Sequence, residues 1–105
     1  MSFPTDMTGM ADKADTVSAF LKGLANGHRL MILCHLSQGE CSVGALIEAT
    51  GLAQTSMSQH LAKLRSEGLV DCRRDHRTLH YFIDHPAVLE IMTVLYSHFC
   101  GKDQD

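Results

Sequence analysis

The chain has 105 residues, 45% of them apolar and 20% charged, with a formal net charge of −3; this is enough for one small domain, which buries only about 60 to 70% of its unfolded surface. That balance excludes a disordered chain, and no stretch approaches the roughly 18 consecutive apolar residues of a membrane span. The negative charge argues against broad adhesion to nucleic acid, and the start, Met1-Ser2-Phe3-Pro4-Thr5-Asp6, lacks a basic and then apolar leader, so a cytoplasmic protein without a membrane partner is expected.

Residues 1–10 read as a loose arm, residues 11–100 as the folded domain and residues 101–105 as a short polar tail. From Ala11 the spacing Ala14, Val17, Phe20/Leu21, Leu24 predicts an amphipathic helix. Asn26 is an N-cap for a second helix carrying Leu30, Met31, Ile32, Leu33 and Leu36, apolar nearly all round and therefore buried, which stops near Gly39. Ser42 caps a short third helix, Val43 to Thr50, ended by Gly51 within the turn Gly51-Leu52-Ala53. A fourth helix from about Gln54 to Glu67 turns Met57, Leu61 and Leu64 inward at i, i+4, i+7 and stops at Gly68. Leu69 to Arg74 and Thr78 to Ile83 are two strands, rich in Val, Leu, Tyr, Phe and Ile, joined by the polar turn Asp75-His76-Arg77. Asp84 or His85 caps a last helix with Pro86 in its first turn and the stripe Val88, Ile91, Met92, Leu95, Phe99.

The third and fourth helices and their glycine-bearing turn form a helix-turn-helix, and the basic hairpin after them makes it a winged helix. The fold class is mainly α with a small β-hairpin. The average charge hides an asymmetry: residues 54–83 hold five Lys/Arg against three acids, and the remainder of the chain stands at −5. A major groove admits one helix whose hydrogen-bonding side chains read base edges, so Gln54, Thr55, Ser56, Ser58, Gln59 and His60 are candidates, with Lys63 on the same outward face. Arg73, Arg74 and Arg77 on the wing are candidates for phosphate contacts, which position a protein on DNA without specifying sequence. The alternative for this polar face is plain solvation. The apolar stripes of the first and last helices exceed what one small monomer covers, so a homodimer through the N- and C-terminal helices is expected, with intrachain packing as the alternative.

The run Leu21-Lys22-Gly23-Leu24-Ala25-Asn26-Gly27-His28-Arg29-Leu30-Met31-Ile32-Leu33-Cys34 belongs with two later runs. These are Ser42-Val43-Gly44-Ala45-Leu46 and Ser56-Met57-Ser58-Gln59-His60-Leu61-Ala62-Lys63-Leu64-Arg65-Ser66-Glu67-Gly68-Leu69-Val70. Together they resemble the ArsR/SmtB family of bacterial winged-helix repressors over about residues 15–100. The resemblance implies a homodimer that binds double-stranded operator DNA at an inverted repeat and releases it, or changes its grip, when an inducer arrives.

Metal sensing in one branch of that family resembles a Cys-x-Cys pair in the third helix, whereas Glu40-Cys41-Ser42-Val43 supplies one thiol. Another branch places ligands 11 residues apart on the last helix. His85 and His98 are 13 apart, about 220° round a helix and on different faces, and Pro86 stands where a ligating histidine is wanted. A metal-responsive repressor is thus the rival reading, and no metal or cofactor is assigned. Cys34 and Cys100 lie where the persulfide-sensing SqrR/BigR and HlyU-like repressors carry paired thiols, and the resemblance implies that these two are the reactive pair. A persulfide formed on one thiol needs a second to capture it as a di- or polysulfide bridge. The alternative for Cys34 is a small core hydrophobe, and for Cys100 an incidental exposed thiol. Cys41 is an accessory thiol at most, and Cys72 a packed strand residue. A redox-responsive or constitutive HlyU-like regulator is a further alternative. An enzyme with a cysteine nucleophile is disfavoured, because the polar residues line a convex helix and no base with an orienting group assembles beside either thiol.

Overall fold

Side-chain caps and left-handed glycines set several of the helix ends. The computed structural model describes residues 8–101, with helices α1 Thr8–Leu24, α2 Gly27–Leu36, α3 Val43–Thr50, α4 Gln54–Ser66 and α5 Pro86–Phe99. Its strands are β1 Cys41–Ser42, β2 Val70–Asp75 and β3 Thr78–Ile83. Asn26 Oδ1 accepts from the Arg29 N–H at 3.1 Å and Ser42 Oγ from the Ala45 N–H at 3.1 Å, each satisfying a first-turn donor that the helix itself leaves unpaired. At α5 the cap is His85, whose Nδ1 accepts from the Ala87 N–H at 3.1 Å, with Pro86 following where no N–H is needed. Gly51 and Gly68 end α3 and α4 with φ of 75° and 78°, a conformation that costs a Cβ-bearing residue about 1 kcal/mol.

Some element bounds shift by one to three residues, and one strand is new. α1 starts at Thr8, three residues ahead of Ala11, because its apolar stripe continues back one turn to Met10. Residues 1–7 and 102–105, most of the expected arm and tail, lie outside the described residues. The hairpin turn is two residues, since Asp75 pairs with Thr78 and His76 takes a positive φ of 60°. The new strand is β1, absent from the sequence reading, which pairs antiparallel with β3 and makes a three-stranded sheet of order β1-β3-β2.

The core lies where α2, α3, α4 and α5 meet the inner face of this sheet. Ile32, Leu33, Leu46, Met57, Leu61, Leu64, Leu69, Val70 and Val88 are fully buried, each worth about 1.5 to 3 kcal/mol of transfer free energy. The inward stripe Met57, Leu61, Leu64 holds as expected. α2 does not bury all round: Met31 is 45% exposed, because four consecutive apolar residues spread over about 300° of the helix and the neighbouring elements cover one side only. On α1 and α5 the exposed apolar residues Met10, Leu21, Leu89 and Val94 face away from this core. Among the described residues no helix is long and apolar enough to cross a membrane.

Candidate functional site

The outward face of α4 is fixed by its inward one. With Met57, Leu61 and Leu64 anchored in the core, the residues Gln54, Thr55, Ser58, Gln59 and Ala62 fall on one exposed strip and line a shallow depression together. No side chain caps α4 at Ala53, so its first-turn amides are open. A second groove joins this strip to the wing: Gln54 and Ser58 share it with Ser42, Val43 and Gly44 from the start of α3 and with Arg77, Thr78 and Leu79. The structure thus brings Arg77 beside Gln54 and Ser58. Arg74 is exposed on β2.

The other sequence candidates sit elsewhere. Ser56 is half-buried, and His60, also half-buried, leaves the strip to pack against His28 of α2 with ring centroids 5.6 Å apart. Partial burial pushes the His60 imidazole below its ordinary range, helped by the charge of Arg29 and by His28. Lys63 pairs with Glu67 at 3.1 Å, one helical turn on. Arg73 is held by Glu40, its Nε donating to both carboxylate oxygens at 3.0 and 3.2 Å. The hydrogen bond and the guanidinium charge hold the Glu40 carboxyl below the usual carboxylate range. Glu40 is 33 positions from Arg73, and no sequence signal marks the pair.

The thiols divide into two settings. Cys34 is half-buried on α2, Cys100 is exposed at the C-cap of α5, and both line one cleft of about 300 Å³. The rest of its lining is Leu30, Met92, Leu95, Tyr96 and Phe99. Their spacing is legible in the sequence: Leu30 and Cys34 stand at i, i+4, and Met92, Leu95/Tyr96 and Phe99 follow one face of α5. Cys41 and Cys72 belong to the sheet, each the register partner of Tyr81, one on either side of β3. Tyr81 is buried, which pushes its phenol up, and neighbouring Cys72 adds to that shift. Among the described residues, no three His, Cys, Asp or Glu side chains gather as a metal site requires.

Residues 26–71 match the model of the bacterial regulatory protein, arsR family. The nodulation protein NolR of Rhizobium meliloti is 44% identical over 94 residues, 90% of this chain and 76% of that protein. The solved structure of the transcriptional repressor BigR from Xylella fastidiosa overlays with a TM-score of 0.84 at 34% identity, covering 91% of this chain and 98% of that one. The homodimeric winged helix-turn-helix DNA-binding domain of Mb0332 from Mycobacterium bovis overlays at 0.74 with 37% identity, covering 92% and 88%. With a helix-turn-helix, a basic wing and a match of this extent along nearly its whole length, the chain belongs to the ArsR family of bacterial regulatory proteins and is a BigR-like transcriptional regulator.

Proposed function

We propose that the chain is a cytoplasmic, homodimeric repressor that binds an inverted-repeat operator while Cys34 and Cys100 are reduced and releases it when reactive sulfur bridges them. The observation that carries this reading is the shared cleft: two thiols from helices 66 positions apart in sequence line one apolar cavity. One thiolate attacks the sulfane sulfur of a persulfide, takes that sulfur and expels the thiolate of the donor. The second thiolate then attacks the resulting protein persulfide, closing a bridge and expelling sulfide. A step on the inner sulfur yields a disulfide; prior capture of further sulfur yields a longer bridge.

DNA contact in this reading divides by chemistry. Gln54, Thr55, Ser58 and Gln59 read base edges, while Arg74, Arg77 and the open amides at the start of α4 take phosphates. Exposed Met10 and Leu21 on α1 and Leu89 and Val94 on α5 support the dimer, since apolar side chains gathered on two helix faces are best covered by a second copy. Because α2 packs beneath the helix-turn-helix and α5 lies toward the dimer face, a bridge from Cys34 to Cys100 ties the reading head to the two-fold axis.

The test is a mass map of the protein after exposure to a persulfide donor. The proposal expects one dominant product joining the peptides that carry Cys34 and Cys100, formed in step with loss of operator binding. Release of DNA with no such product, or a product joining Cys41 or Cys72 instead, overturns the assignment.

A further inference from the structure

The cleft between α2 and α5 presents almost no polarity to a visitor. Leu30, Met92, Leu95 and Phe99 supply its walls, and besides hydrocarbon the lining side chains contribute the two thiol sulfurs of Cys34 and Cys100, the Met92 thioether and the Tyr96 hydroxyl. None of these residues carries a charge other than through its thiols, so an ionised carboxylate or ammonium that entered would lose water and gain no partner. Hydrocarbon entering the same space gains about 25 cal/mol for each Å² removed from water. A volume of about 300 Å³ lies at the small end of ligand sites and suits a short alkyl carrier.

We infer that the Cys34–Cys100 cleft takes its sulfur from neutral, apolar sulfane carriers, such as dialkyl polysulfanes, in preference to charged, hydrophilic ones. This rests on the thiol pair proposed above and adds the substrate class. For a dialkyl trisulfide the chemistry closes without an outside oxidant. The first protein thiolate attacks the central sulfur, forms a mixed trisulfide and expels one alkanethiolate. The second protein thiolate attacks the same central sulfur and expels the other. The products are a protein trisulfide and two alkanethiols, which take up the two protons of the protein thiols; the protein thiols are oxidised and the two alkyl sulfurs reduced.

Two reagents with the same reacting group separate charge from reactivity: dipropyl trisulfide, which is neutral, and glutathione trisulfide, which is anionic at neutral pH. The rate of Cys34–Cys100 bridging in the whole protein is followed by mass, and each rate is divided by that of the same reagent with a small, freely exposed thiol. The normalised rate is expected to favour dipropyl trisulfide by about tenfold or more, the ratio that a desolvation difference of about 1.4 kcal/mol produces. Equal normalised rates, or a preference for the anionic reagent, overturn this inference while leaving the thiol pair intact. If neither reagent joins Cys34 to Cys100, the thiol pair itself fails, and the carrier preference with it.

Discussion

At the scale of single residues, position on the helix sets what each side chain can reach. Gln59 lies on the exposed strip of α4, so Gln59→Ala should cost about 1 to 3 kcal/mol of binding to the operator and leave binding to unrelated DNA nearly unchanged. Equal loss on both DNAs in a fluorescence titration would remove it from base readout. The three wing arginines should not behave alike. Arg74→Ala and Arg77→Ala should each weaken all sequences and lower the salt slope by about one ion per lost phosphate contact. Arg73→Ala should do less, because Glu40 already holds that guanidinium and a phosphate has to displace a carboxylate to reach it. A full unit lost from the salt slope in Arg73→Ala would show that the ion pair opens on DNA.

His60 gives a pH dependence whose sign follows from its packing. Burial and the neighbouring Arg29 and His28 lower its folded value below the ordinary 6.5. Between those two values the unfolded chain binds the proton and the folded chain does not, so stability rises with pH through this window. Acidification below about 6.5 should therefore lower the urea midpoint, and the loss should level off below the folded value. His60→Gln should flatten that part of the profile. An identical acid slope in the variant would assign it to other groups.

At the scale of elements, what was legible followed local rules. Asn26 and Ser42 cap as their residue types suggest, His85 and not Asp84 caps α5, and Gly51 and Gly68 occupy the left-handed stops. β1 was not legible, because two residues show no alternation and its pairing with β3 is decided forty positions away. For the same reason the Glu40–Arg73 pair and the His28–His60 contact were invisible, and His60, a candidate for base contact by sequence, turns toward α2. Of the thiol cleft, the two cysteines were legible through family likeness, whereas the wall formed by Leu30, Leu95 and Tyr96 needed the packing angle of α2 against α5. α3 has only eight residues and leans on its cap. Ser42→Ala should cost about 1 kcal/mol in chemical denaturation through loss of the bond to the Ala45 N–H. No change beyond a few tenths would mean that water replaces the hydroxyl at no cost.

At the scale of the whole molecule, the proposed switch works through two copies. Val94 is 54% exposed, so Val94→Glu should leave the monomer fold intact and break the dimer. Sedimentation should show half the mass, and affinity for a two-half-site operator should fall about a hundredfold as the second half-site's contribution is lost. A variant that still sediments as a dimer would place the interface elsewhere. In the dimer, the two α4 helices have to meet successive major grooves about 34 Å apart. In the proposed switch, a bridge that shifts α2 against α5 should change that separation. A hundredfold loss of affinity needs about 2.7 kcal/mol of coupling, and closing a 66-residue loop makes on the order of 4 kcal/mol available.

The most direct measurement is operator affinity by fluorescence anisotropy, with and without a persulfide donor, for the wild type and for Cys34→Ser, Cys100→Ser and Cys72→Ser. Both Cys34→Ser and Cys100→Ser should bind operator like the reduced wild type and keep that affinity in the donor, while the wild type and Cys72→Ser should be released. Release of either Cys34→Ser or Cys100→Ser by the donor would contradict the proposed switch.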